Sequence, residues 1–133
     1  MLMACKRAAR LDPRHLELAI VVASKLNECG YCVAQHTPKL QVQGLSAEGV
    51  ERLLDWQDHP ELGPVDRLVV DYAIRVTTAP GRIPAALFTE LGRHLSEAQI
   101  VELTFRIALT GFFNKFSEAL EIDQAAPSAH TAE

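Results

Sequence analysis

Residues 12–36 read DPRHLELAIVVASKLNECGYCVAQH, and this stretch decides both the fold class and the chemistry. Asp12-Pro13 is a helix start: the carboxylate caps free N–H groups, proline fits the first helical position, and Leu11 is placed to staple to Leu16. Leu16, Ala19, Ile20, Ala23 and Leu26 then recur at the spacing of one helix face. The pattern breaks at Asn27–Gly30. A second helix is expected from about Cys29 toward Gly44, with a kink or irregular turn at Pro38.

Outward from this stretch the chain reads as helical nearly throughout. Ser46 caps a short helix carrying Val50, Leu53, Leu54 and Trp56, and Trp56–Gly63 (WQDHPELG) is a loop. Pro64 opens a helix through Val76 that Pro80-Gly81 stops, and a short one follows from Pro84 to Leu95. Ser96 and Gln99 form a capping box for the last helix, Glu97–Leu120, with Leu95 placed to staple to Ile100. That helix is apolar on nearly all sides, from Ile100 to Phe116, so its own domain or a partner subunit should surround it. No strand pattern, internal repeat or glycine-rich phosphate loop is found. The expected class is all-α, a compact domain of about six helices over residues 1–124, with a flexible tail at 125–133.

The 133 residues hold 13 Lys+Arg against 17 Asp+Glu, a net charge of −4. One domain of this length buries roughly two-thirds of its unfolded surface, enough for an apolar core without structural disulfides. At 48% hydrophobic and 23% charged residues the composition is globular rather than disordered. The acidic balance gives no electrostatic reason to expect nucleic acid. The locally basic start, MLMACKRAAR, lacks the apolar core of a secretory signal, and no apolar run is long enough to span a bilayer. A cytoplasmic protein is expected.

Three cysteines are placed informatively. Cys5 stands alone and is most simply a buried or spectator thiol. Cys29 and Cys32 form a C-x-x-C pair, with His36 four residues later; in a reducing compartment such a pair is redox-active or metal-binding. On a helix turning about 100° per residue, Cys29, Cys32 and His36 lie near 0°, −60° and −20°, on one face. At a helix N-terminus Cys29 would be the more acidic thiol, and Gly30 would let the chain enter the turn closely. Glu17 is the only charged residue in LELAIVVAS. Buried near His36, it would have its pKa raised by desolvation, which suits proton transfer. Zinc is the alternative ligand, with Glu17 as fourth donor.

Glu17, eleven intervening residues, and then Cys29-Gly30-Tyr31-Cys32-Val33-Ala34-Gln35-His36 closely resemble the E-x(11)-C-x-x-C-x-x-x-H motif of the alkylhydroperoxidase D-like branch of the carboxymuconolactone decarboxylase family. The resemblance runs from about Ala4 to Ile122. It implies an all-helical fold assembling as trimers or hexamers, and a thiol peroxidase site. By position, Cys32 would attack peroxide, Cys29 would resolve, and His36 with Glu17 would form the proton relay. An external dithiol of the dihydrolipoamide type would reopen the disulfide, and no bound metal, haem or flavin is implied. Tyr31 stands where some peroxidase members have a relay histidine and many relatives have tyrosine. Relatives also usually carry helical sequence ahead of the segment matching Ala4–Leu11.

The expected activity is therefore peroxidase reduction of organic hydroperoxides or hydrogen peroxide. The alternatives are a dithiol–disulfide reductase, a carboxymuconolactone decarboxylase-like enzyme, or a non-catalytic small-molecule-binding module. Tyr31 is expected to pack, and Asn114 to bond backbone or line a pocket. Trp56, Phe105, Phe112, Phe113 and Phe116 are expected in core or interface. His15, His59, His94 and His130 are expected to be solvated.

Overall fold

The computed structural model describes residues 10–122; Cys5, His130 and the tail 125–133 lie outside the described residues. Among the described residues six α-helices follow one another: α1 Pro13–Leu26, α2 Gly30–Val42, α3 Ala47–Glu51, α4 Pro64–Thr78, α5 Ala85–Gly92 and α6 Glu97–Leu120. Short 3-10 turns at Trp56–Asp58 and Pro80–Arg82 flank α4. Among the described residues there is no strand, as the sequence patterns require.

The starts form as their capping chemistry dictates. The Asp12 carboxylate accepts from the Arg14 N–H at 2.9 Å, and Ser96 and Gln99 cap α6 reciprocally at 3.1 and 2.9 Å. Two expectations need adjustment. The helix of Ser46 ends at Glu51, so Leu53, Leu54 and Trp56 follow it in turns. The helix expected over Pro84–Leu95 spans only Ala85–Gly92, with Pro84 as its N-cap. At Pro38 the backbone stays helical through Val42; the missing N–H leaves the Ala34 carbonyl without its usual donor, at an exposed position where water can serve.

Helix α1 is central. The expected one-sided burial of α1 is replaced by burial all round: every residue from Leu18 to Ser24 is buried. Helices α2, α4 and α6 enclose it. Leu18, Val21 and Val22 join Val69, Val70 and Ala73 of α4, Leu87 and Leu91 of α5, and Leu103 and Ile107 of α6 in one apolar cluster. Conversely, the described chain does not surround α6. Phe112, Phe113 and Phe116 are about half exposed (57%, 54% and 49%), and Val101 and Leu120 are exposed too.

Arg14 ties the start of α1 to the rest. Its guanidinium meets Asp66 of α4 at 2.9 Å and donates to the Gln43 and Glu61 carbonyls at 2.8 Å. Gly44 has φ +106, and a Cβ there would sit 3.1 Å from Arg14 Nη1, so the clamp needs glycine twice over. Two histidines expected to be solvated are not. The ring of His59 is buried: its Nδ1 accepts from the Glu61 N–H at 3.1 Å, so Nε2 carries the proton toward the Gly49 carbonyl at 2.8 Å. His15 approaches Asp66 at 3.3 Å, whereas His94 is exposed as expected.

Candidate functional site

The site is built at the turn between α1 and α2. Helix α1 ends at Leu26 with Asn27 as its C-cap, and Glu28 takes the left-handed conformation, φ +54. The Glu28 N–H bonds the Lys25 carbonyl at 3.1 Å and the Cys29 N–H bonds that of Ser24 at 3.0 Å, a Schellman closure with glutamate where glycine is usual. The conformational demand thus falls on Glu28. Gly30 is an ordinary first residue of α2, and a Cβ there would touch nothing within 4 Å.

Cys29 becomes the N-cap of α2, its Sγ accepting from the Cys32 N–H at 3.4 Å. The two cysteines form a disulfide, with Cα atoms 5.3 Å apart, inside the usual range for such a bridge. They differ in access: Cys29 is fully buried and Cys32 half-buried. His36, one turn beyond Cys32, places Nδ1 2.8 Å from Oε2 of Glu17 on α1. Only 14% of the Glu17 side chain and 25% of that of His36 are exposed. With Nδ1 engaged, Nε2 is the ring nitrogen left for proton exchange.

A cavity of about 200 Å³ opens beside this pair, with Cys32 and His36 on one wall and Ile20 and Ser24 of α1 beneath. Arg106, Thr110, Phe113 and Asn114 of α6 close the other side. A second cavity of about 260 Å³ shares Cys32, His36 and Phe113 and adds Tyr31 and Lys39. Cys29 borders a separate, wider depression with Gly30, Val33 and Leu54.

Asn114 does line the cavity, but its amide bonds side chains rather than backbone. It donates to Ser24 Oγ and accepts from Asn27 Nδ2, both at 3.1 Å. Ser24 therefore holds Asn114 through its hydroxyl and Cys29 through its carbonyl. The sequence reading did not single out Ser24 or Arg106. The available signal was polarity out of place: Ser24 ends the apolar run LAIVVAS, and Arg106 is the lone charge in LTFRIALTG. Among the described residues, no three His, Cys, Asp or Glu side chains converge as a metal-ion site, and none of the described helices is long and apolar enough to cross a membrane.

The sequence model of the carboxymuconolactone decarboxylase family matches residues 1–75. The chain belongs to this family. YnjA of Escherichia coli strain K12, an uncharacterised protein, is 26% identical over 117 residues, which is 88% of this chain and 64% of YnjA; the chain thus spans less than two-thirds of that relative's length. Among solved structures, ATU0492 of Agrobacterium tumefaciens, of unknown function and proposed to be the antioxidant defence protein AhpD, superposes with a TM-score of 0.75. Its identity is 24%, over 89% of this chain and 84% of that one. The debrominase Bmp8 superposes with a TM-score of 0.70 at 25% identity, over 90% of this chain and 65% of its own. The fold is therefore AhpD-like.

Proposed function

We propose that this family member is a thiol peroxidase that reduces organic hydroperoxides or hydrogen peroxide in the reducing cytoplasm. One observation carries the proposal: the Cys29–Cys32 bridge lies beside a cavity that Cys32 and His36 share, with Glu17 bonded behind the imidazole. Likeness to a protein linked to antioxidant defence supports it.

In the proposed cycle, the Cys32 thiolate attacks the outer peroxide oxygen and the O–O bond breaks. The departing alkoxide takes a proton from His36 and leaves as alcohol, while Cys32 becomes a sulfenic acid. The Cys29 thiol condenses with it, releasing water and forming the disulfide. An external dithiol of the dihydrolipoamide type then exchanges with the bridge, giving back two thiols and its own cyclic disulfide. Glu17 holds the imidazole in one orientation and balances its positive charge. Cys32 is the attacking thiol because it is the one half-open to the cavity with His36, which outweighs the N-cap electrostatics favouring Cys29. No bound metal or organic cofactor enters the cycle. The uncovered phenylalanines of α6 support assembly as a homo-oligomer, a trimer or hexamer.

The test is consumption of cumene hydroperoxide with dihydrolipoamide or dithiothreitol as donor. Activity that disappears in both Cys29→Ser and Cys32→Ser supports the cycle. Disulfide reduction without peroxide loss marks a reductase instead, and neither activity marks a binding module. Likeness to Bmp8 favours one second reading, reductive debromination of a small aromatic: two thiols and an aryl bromide would give the arene, bromide, a proton and the same disulfide. Bromide release in the same assay distinguishes it.

A further inference from the structure

Arg106 has no part in the redox cycle above, yet its side chain lines the same cavity as Cys32 and His36. Its side chain is 21% exposed. One turn earlier on α6 sits Glu102, only 4% exposed, with Oε1 3.6 Å from Arg106 Nη1. That separation is an ion pair without a hydrogen bond, and Oε2 of Glu102 has no partner among the described residues. A guanidinium offers five N–H donors in a planar fork that fits a carboxylate. Glu102 thus holds the cation in place by charge while leaving it donors to present to the cavity. The cavity lining holds no carboxylate, and that of Glu17 is engaged by His36 behind it, so an incoming anion meets Arg106 rather than an unpaired acid. Ile20, Leu109 and Phe113 give the cavity apolar surface, beside Ser24, Thr110 and Asn114, whose side chains already have hydrogen-bond partners. An apolar cavity of about 150 Å³ accepts benzene, so the space here suits one ring or a short aliphatic body.

We infer that Arg106 is the anion anchor of the Cys32 cavity, and that its ligands are small organic molecules bearing a carboxylate on an apolar body. For the reacting ligand this rests on the peroxidase reading. The substrate class then narrows to carboxylate-bearing organic hydroperoxides, held at Arg106 with the peroxide toward Cys32.

Benzoate and its neutral counterpart benzamide, titrated into the full chain and followed by NMR shifts, test the anchor without turnover. The wild type should prefer benzoate. That preference should fall about tenfold or more in Arg106→Gln, the loss expected for a hydrogen bond to a charged group, and recover in part in Arg106→Lys. Because Arg106→Gln strands a buried acid, the double variant Glu102→Gln/Arg106→Gln, which has no uncompensated charge, is measured beside it and should show the same loss. An equal preference in wild type and double variant, or no benzoate binding, overturns the inference. In turnover, the ratio of kcat/KM for a carboxylated hydroperoxide to that for cumene hydroperoxide should fall by a similar factor in the double variant. If no hydroperoxide is consumed, the peroxidase reading fails while the benzoate titration still decides the anchor.

Discussion

The imidazole of His36 and the carboxylate of Glu17 meet at 2.8 Å across the gap between α2 and α1. Neither residue has its partner on its own helix, so the pair exists only once the two helices have packed. A carboxylate behind an imidazole fixes the ring's orientation and which ring nitrogen is free.

Glu17→Gln should therefore lower peroxide turnover by about 10- to 100-fold, toward the low end of what a positioned acid–base group contributes, while thermal unfolding stays within a few degrees of wild type. The double variant Glu17→Gln/His36→Asn should lose little more than His36→Asn alone, since the two act as a unit. Losses that multiply would separate Glu17 from the relay. Steady-state kinetics and a melting curve suffice.

Reaction with a dimedone-type probe should report the division of labour between the cysteines. Cys29→Ser, exposed to one equivalent of peroxide, should accumulate label at Cys32, because the resolving thiol is gone. Cys32→Ser should remain unlabelled at Cys29, which is fully buried. Mass spectrometry that finds label on Cys29 alone would reverse the roles.

Removing the amide at Asn114 should be costly. Asn114→Ala leaves Ser24 and Asn27 without their bonds, and an unpaired buried polar group costs about 1–3 kcal/mol. Denaturant unfolding should move by that amount, and Asn114→Asp should not restore it.

Acid should weaken the clamp between α1 and α4. Burial pushes the Asp66 carboxyl up, but hydrogen bonds from His15, Arg14 and the Gly63 N–H, with the Arg14 charge, outweigh it and hold the group far below the usual carboxylate range. A pKa depressed by folding means that the unfolded chain binds the proton first, so this stabilisation is complete above the unfolded value near 4 and lost as pH falls below it. Asp66→Asn should be less stable at pH 7 and show a shallower loss of stability below pH 4, measured by urea unfolding across that window.

Glu28 offers the opposite sign. Its left-handed backbone costs a residue with a Cβ about 1 kcal/mol that glycine avoids. Glu28→Gly should raise the melting temperature by several degrees, whereas the same change at Glu118, within a regular helix, should lower it.

Much of this was legible in the chain itself. Asp12-Pro13, Ser46 and Ser96 marked helix starts because capping is local chemistry; Cys29, Cys32 and His36 stood out by spacing, and Glu17 as the lone charge in an apolar run. What escaped depends on partners that helix periodicity does not reveal, most of them distant in sequence. The burial of α1 on all sides follows from three other helices closing on it. The placement of His59 follows from Gly49 and the Glu61 backbone, and that of His15 from Asp66. Ser24, Asn27 and Asn114 form their chain only where α1 and α6 touch, ninety residues apart. The turn at Glu28 was hidden because Gly30, two positions later, looked like the residue that made it.

The bridge between Cys29 and Cys32 staples a single turn of backbone. A cross-link spanning so few residues removes little freedom from the unfolded chain, and both ends belong to the same helix start. Its opening and closing therefore leave the helix packing with nothing to rearrange. In the proposed cycle, such a site would be oxidised and reduced over many rounds on a scaffold with no cause to move.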